Sequence, residues 1–202
     1  MKTKRRFVIA SNNQAKTAEL VTCFAYLGYQ AISYQQLIGR HEFPSEGTQS
    51  YQKNAQGKAN FIARLLPDEW IVADDSGMLL AADPDGLGVQ TARQLKMYTD
   101  TEHHLNQRIL AIVANKSREV TMTTTLVLRT PIKSVIGHGE FHGTIATEER
   151  GQNGASFDLI LVPDGMHQTL AELSDAVKLP LLHRTKAIAD LMTHMEETTH
   201  AN

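Results

Sequence analysis

Segments of strand character alternate with segments of helix character along this 202-residue chain, which predicts an α/β fold with a mixed central sheet flanked by helices. Short apolar runs, Phe7-Val8-Ile9-Ala10 and Trp70-Ile71-Val72, each lie next to a longer stretch whose apolar residues recur every three to four positions. No repeat, low-complexity tract or long linker interrupts the order, and 42% apolar residues suffice for a real core. The expectation is one domain over residues 1–202, with room for two lobes.

Phe7 to Ala10 reads as a central strand, flanked by the basic Met1-Lys2-Thr3-Lys4-Arg5-Arg6; its apolar run is too short for a signal peptide. Ser11-Asn12-Asn13 breaks it. A helix follows from Ala15, with Leu20, Phe24 and Leu27 on one stripe and Gly28 as its stop. Thr48 to Leu66 repeats the pattern through Tyr51, Ala55, Ala59, Ile62 and Leu66, and Pro67 ends it. Trp70-Ile71-Val72 then reads as a buried strand ending at Asp74-Asp75. Asp83 to Gly88 reads as a turn-rich loop and Thr101 to Asn115 as a helix packing Leu105, Ile109, Ile112 and Val113. Glu119 to Thr130 alternates Val120, Met122, Thr124, Leu126 and Leu128, a half-buried strand. Ser134 to Ala146 is its hairpin partner, with Gly137 and Gly139 as bulge or edge signals. Phe157 to Val162 is read as another strand. His183 to about Met195 forms the last helix, with Ile188, Leu191, Met192 and Met195 inward, and the polar tail 196–202 is expected to fray.

The net charge of −2 supplies no general drive toward nucleic acid or an anionic membrane, so an anionic ligand has to be held by local Lys and Arg. The single Cys23 excludes an internal disulfide and a multi-cysteine zinc site, and a reducing, cytosolic compartment is expected. No apolar run approaches the roughly 20 residues of a membrane span.

Ala73-Asp74-Asp75-Ser76-Gly77-Met78 is the most informative stretch. Like charges this close resist joint ionisation. Mg²⁺, a hard cation that takes carboxylate and phosphate oxygens, relieves that repulsion; an Asx-type turn is the plainer reading. Ser11-Asn12-Asn13-Gln14-Ala15-Lys16 lies between a strand and a helix, where backbone N–H groups favour anions and Lys16 adds a point charge; a simple Asn13 helix cap is the alternative. Lys178, His183 and Arg184 form a second basic group, which a solvated helix start also explains, and Arg93 is a third candidate cation. Asp158 is placed to accept a hydrogen bond from a base edge, or to cap backbone N–H groups. His138 and His142 share one face of a strand and His103-His104 an exposed helix face; all four read as structural or solvated.

These pieces, in this order, resemble the inosine triphosphate pyrophosphatase family from about Val8 to Leu191. The family's Thr-Gly-Asn-x-x-Lys-x-x-Glu is similar to Ser11 through Glu19, its Asn-Ala-x-x-Lys-Ala to Asn54 through Ala59, and its Ala-Asp-Asp-Ser-Gly-Leu to Ala73 through Met78. Its Pro-Gly-x-x-Ser-Ala-Arg is similar to Leu87 through Arg93, and its Phe-Gly-Tyr-Asp to Ala155-Ser156-Phe157-Asp158. Ala171-Glu172-Leu173, Lys178 and His183-Arg184 close the set. The resemblance implies two lobes with a substrate cleft between them, a homodimer, and Mg²⁺-dependent hydrolysis of ITP, dITP or XTP to the monophosphate and pyrophosphate. It implies Asp75 as catalytic carboxylate and metal ligand, supported by Asp74, with Glu46 (or nearby Glu42) as the second metal carboxylate. It implies that Ser11, Asn12, Asn13, Gln14, Ala15 and Lys16 hold the phosphates with Ser76 close by. Ala155, Ser156, Phe157 and Asp158 would meet the base, and Lys178, His183 and Arg184 its 6-keto oxygen.

Four positions depart from the pattern. Asn12 stands for a glycine, Lys53 for a glutamate, Leu182 for a serine, and Ala155 for the aromatic residue that stacks on the purine. Stacking is worth about 1–3 kcal/mol, so its loss implies roughly ten- to hundredfold weaker binding and altered base choice. The alternatives are a pyrophosphatase of another modified nucleotide, or a nucleotide-binding protein with weakened catalysis.

Overall fold

The computed structural model describes residues 6–91, 94, 101–154 and 156–200. The strands are β1 (Phe7–Ile9), β2 (Ala31–Ser33), β3 (Trp70–Leu80), β4 (Asp83–Gly88), β5 (Glu119–Arg129), β6 (Ser134–Ile145) and β7 (Leu161–Pro163). They are hydrogen-bonded in the order β2-β1-β3-β5-β6-β7, with β4 paired to β3. β1 runs parallel to β2 and β3, setting Phe7 opposite Ala31 and Trp70. The β3–β4 and β6–β7 pairs are antiparallel, so the sheet is mixed, as the alternation of elements predicted. No described helix is long and apolar enough to cross a membrane.

The chain divides into two compact units, and β3, β5 and β6 each contribute to both. The first contains the chain to Ser76, Thr124–Gly139 and the chain from Arg184. Within it, α1 (Gln14–Tyr26) starts where Asn13 Oδ1 accepts the Lys16 N–H at 3.0 Å, and it ends before Gly28, whose φ of 81° no β-carbon disturbs. Phe24 of α1 stacks on Phe7 with ring centroids 4.8 Å apart. The short helix α2 (Gln35–Ile38) follows β2, and α3 (Tyr51–Leu65) begins at the Ser50 cap. The inward side of α3 carries Ala55, Ala59 and Ile62, fully buried with Val8, Ile71, Ala73 and Val127. Two alanines in this row let the helix backbone approach the sheet closely.

The last helix of this unit is α6 (His183–His200), preceded in chain order by α4 (Glu102–Ile112) and α5 (Asp175–Lys178). Ile188, Leu191 and Met192 are buried, as the spacing predicted. The helix extends past Met195 to His200 where a frayed tail was expected: Glu196 and Glu197 are good helix formers and no Gly or Pro interrupts them. Gly137, read from the sequence as a bulge or edge signal, is a point of close approach. A β-carbon there would lie 2.4 Å from the Ala187 carbonyl, so glycine is what allows α6 to rest on β6.

The second unit holds Gly77–Thr123 and Glu140–His183. Here β3 does not end at the aspartates but runs on to Leu80, because Met78 and Leu80 find partners in Gly88 and Asp83. The turn-like sequence Asp83–Gly88 is therefore β4 and not a loop. Phe157 and Asp158 lie in a 3₁₀ turn, Ser156–Leu159, and not on a strand; the Ile160 N–H closes it on the Phe157 carbonyl at 2.9 Å. β5 alternates in burial only over its first half, and Thr124 to Leu128 are buried without a break. A strand with neighbours on both sides and both faces covered loses its period-two pattern.

A candidate active site around two adjacent aspartates

Successive residues of a strand face opposite sides, and this separates the aspartates of β3. Asp74 shares its face with Ser76, whose hydroxyl donates to Asp74 Oδ2 at 2.9 Å. The same hydroxyl lies 2.7 Å from Thr124 Oγ1; its one proton is given to Asp74, so Thr124 donates to Ser76. Lys16 Nζ reaches Asp74 Oδ2 at 3.1 Å and Arg184 Nε at 3.7 Å. Burial alone would raise the Asp74 carboxyl, but Lys16, Arg184, Lys58 and the Ser76 hydroxyl hold it far below the ordinary carboxylate range. Asp74 Oδ1 is buried without a hydrogen-bond partner.

Asp75 turns to the other side, where Asn54 Nδ2 of α3 donates to its Oδ2 at 2.8 Å and the Ser76 N–H to its Oδ1 at 3.1 Å. Burial pushes this carboxyl up; Lys58, Asn54 and Lys16 pull it back only in part, and the charge of Glu46 adds to the rise. The two carboxylates are thus not a pair competing for one proton, as their adjacency suggested. Lys16 and Lys58 act on both, Arg184 on Asp74, and the two carboxyls shift in opposite directions.

Asn54 and Lys58 are four apart on α3, so one helix face carries both. Burial would lower the Lys58 ammonium, but Asp74, Glu46 and Asp75 together push it up, and its Nζ meets Glu46 Oε1 at 2.9 Å. Both Glu46 and Glu42 are exposed, but it is Glu46 whose charge acts on Asp75. Tyr51, one turn before Asn54, has a hydroxyl buried without a hydrogen-bond partner, and burial with the Asp75 charge pushes it up to about 12.

The Ser11–Lys16 segment leaves β1 at its carboxyl end, the usual place for a ligand on an open α/β sheet. Ser11 is buried and its Oγ accepts the Asn13 N–H at 3.2 Å. Asn12 has no positive φ, so replacing the family's glycine introduces no backbone strain. Its Oδ1 accepts from Tyr34 (2.6 Å) and Gln35 (3.0 Å), and its Nδ2 donates to the His41 carbonyl (2.8 Å). Gln14 and Ala15 open α1.

Lys178, His183 and Arg184 are all buried, which removes the solvated-helix reading. Lys178 Nζ donates to the Asn153 carbonyl at 2.6 Å and to Asp158 Oδ2 at 3.3 Å. Arg184 Nη1 donates to Glu19 Oε2 at 2.7 Å; burial would lower the guanidinium, but Glu19 and Asp74 push it up. His183 opens α6, and Ser156 and Phe157 are half-buried. Ala155 and Arg93 lie outside the described residues. His138 and His142 share the exposed face of β6, and His103 pairs with Glu149.

Reading the residues for chemistry missed Asn54, Lys58, Tyr51, Thr124 and Glu19. Asn54, Lys58 and Glu19 had a signal: they sit in the two motifs that precede the aspartate stretch in the resemblance. Thr124 and Tyr51 had none.

The arrangement brings together, on an open α/β sheet, a capped helix N-terminus, cations next to it, and two buried carboxylates with opposite shifts. Residues 7–194 match the model of the Ham1 family, and the chain belongs to that family. The resemblance to the inosine triphosphate pyrophosphatases is borne out by its relatives. The dihydroneopterin triphosphate diphosphatase of Limosilactobacillus reuteri (strain DSM 20016) is 40% identical over 195 residues, covering 96% of this chain and 100% of that protein. The dITP/XTP pyrophosphatase of Leuconostoc mesenteroides subsp. mesenteroides is 32% identical over 191 residues, covering 92% and 94%. The solved Staphylococcus aureus Ham1 protein superposes with a TM-score of 0.76 at 26% identity, covering 96% of this chain and 100% of that one.

Proposed function

We propose that this chain is a nucleoside triphosphate pyrophosphatase that hydrolyses deaminated purine nucleotides, dITP, ITP or XTP, to the monophosphate and pyrophosphate. One observation carries the reading: Lys16, from the capped start of α1, reaches the aspartate segment at 3.1 Å, so phosphate-binding and carboxylate chemistry meet. The N–H groups opening α1, with Ser11, Asn13 and Lys16, hold the phosphate chain. Water attacks the α-phosphorus, its proton goes to Asp75, the bond to the bridging oxygen breaks, and pyrophosphate leaves. Lys58 and Lys16 offset charge on the phosphoryl oxygens.

The donors fit a hard divalent cation. Asp75 and Glu46 offer carboxylate oxygens, and the Asp75 charge is only partly offset by its neighbours, with the Glu46 charge adding to the strain. Among the described residues no three such side chains are already gathered about one point. Mg²⁺, which takes one or two carboxylates and completes its shell with phosphate oxygens and water, matches that better than Ca²⁺. Asp75 with Glu46 would hold it, and when bound it neutralises phosphate charge and acidifies water.

Lys178, His183 and Arg184 supply donors for a keto oxygen, with Ala155, Ser156, Phe157 and Asp158 against the base. Adenine presents an amino group there and leaves buried donors unpaired. A second reading is favoured by the 40% identical relative and by Ala155 in the stacking position: the bicyclic keto ring is a dihydropterin, carried on the same triphosphate. The proposal further takes residues 1–202 as one domain that acts in the cytosol as a homodimer.

Pyrophosphate release from dITP, ITP, XTP, GTP, ATP and dihydroneopterin triphosphate, with and without Mg²⁺, tests both readings. Mg²⁺-dependent turnover of the deaminated purines is expected to exceed that of ATP; a preference for the pterin selects the second reading. Absence of release from every one of them defeats both.

A further inference from the structure

We infer that Glu102 and Asn106 of α4, with Glu149, are positioning residues that set base selectivity by clamping the Ser156 peptide. The inference rests on the proposed role of Ser156, Phe157 and Asp158 against the base. Asn106 is fully buried, and its amide nitrogen donates both to Glu149 Oε1 at 2.6 Å and to the Ser156 carbonyl at 2.8 Å. From one turn earlier on the same helix, Glu102 Oε2 accepts the Ser156 N–H at 3.1 Å. Both backbone groups of Ser156 are therefore held by α4 side chains.

The residue so held has a φ of 52°, the left-handed region that side chains other than Gly, Asn and Asp rarely adopt. A serine stays there only where its surroundings over-determine it, and such positions cluster at ligand sites. The clamp is itself braced, since Glu149 Oε2 meets His103 Nδ1 at 2.6 Å. Asn106 Oδ1, meanwhile, is buried without a partner. A buried amide left half-satisfied is a poor way to stabilise a helix face that Ile109 and Val113 already bury. Its use is geometric. The clamped peptide directly precedes Phe157 and Asp158, and Asp158 is held from its other side by Lys178. α4 thus fixes the backbone of the turn while Lys178 fixes a side chain on it.

The test compares Asn106→Ala and Glu102→Ala with Asp158→Ala, measuring kcat and KM for dITP and GTP and inhibition by pyrophosphate, which has no base. Glu102 is exposed, so its variant keeps the test open if the Asn106 variant does not fold. Both clamp variants are expected to raise KM for dITP about tenfold and to narrow the dITP-to-GTP preference, with kcat and pyrophosphate inhibition close to wild type. Unchanged KM and preference in both, beside a raised KM in Asp158→Ala, overturn the inference and leave the base-contact reading standing. An Asp158→Ala variant with wild-type KM removes that reading and the clamp with it. Equal losses in kcat, KM and pyrophosphate inhibition also overturn the inference, since they mark a structural role.

Discussion

Asp74 is held by Lys16, Arg184 and the Ser76 hydroxyl, whereas Asp75, one peptide bond away, is held by the Asn54 amide of α3, and the Lys58 charge acts on both. The first carboxyl is held far down and the second is pushed up. The difference assigns them different work. On the proposed function, Asp74 would be an ionised anchor for Lys16 and Arg184, while Asp75 would carry the charge that a ligand uses. Buried groups whose environments drive their proton affinities apart commonly divide roles in this way.

The largest expected effect breaks the comparison at Asp75. Asp75→Asn should lower pyrophosphate release by about a thousandfold or more, roughly 4 kcal/mol of barrier, with the fold intact by circular dichroism. Asp74→Asn should instead show in stability, costing about 3–5 kcal/mol in urea denaturation because Lys16 and Arg184 lose a buried partner. Loss of activity without loss of stability in that variant would erase the distinction. Asn54→Ala removes the hydrogen bond to the Asp75 carboxylate and should reduce kcat about tenfold or somewhat more, since bonds to charged groups are worth about 1.5–3 kcal/mol.

Melting curves against pH sharpen the contrast. A depressed folded value means that Asp74 stabilises above its unfolded value of about 3.9 and loses that contribution as pH falls through the folded value. The gap between wild type and Asp74→Asn should therefore begin to close only below about pH 4. Asp75, raised, is most compatible with folding below the unfolded value and costs stability as pH rises through the folded one. Asp75→Asn should gain on wild type as pH increases from about 4 upward. The smallest effect is expected at Tyr51. Removing a buried, partnerless hydroxyl in Tyr51→Phe should leave stability unchanged or raise it by about 1 kcal/mol; a clear loss means the hydroxyl has a partner.

Much of this was legible in the chain. The Asn13 cap, the α3 stripe of Ala55, Ala59 and Ile62, and the start of β3 at Trp70 each follow from local pattern, and all appear where expected. The continuation of β3 beyond the aspartates was not legible. It depends on pairing with Asp83–Gly88, whose composition signals a turn. The turn at Ser156 was hidden because a left-handed serine held by Glu102 and Asn106 is a tertiary fact. The partners of the aspartates were visible as motif letters, but their division between the two faces of one strand required the packing of α1, α3 and α6 on the sheet.

If the β1–α1 loop holds the phosphate chain as proposed, its asparagine would affect how firmly a polyphosphate is captured. The Asn12 side chain oxygen already accepts from Tyr34 and Gln35, and one of its two N–H groups donates to the His41 carbonyl. The loop is therefore tethered at Asn12 by three neighbours, and an anion held there, as proposed, would spend less of its affinity on ordering it. An asparagine in place of the most flexible residue would make such a receptor more of a rigid mould.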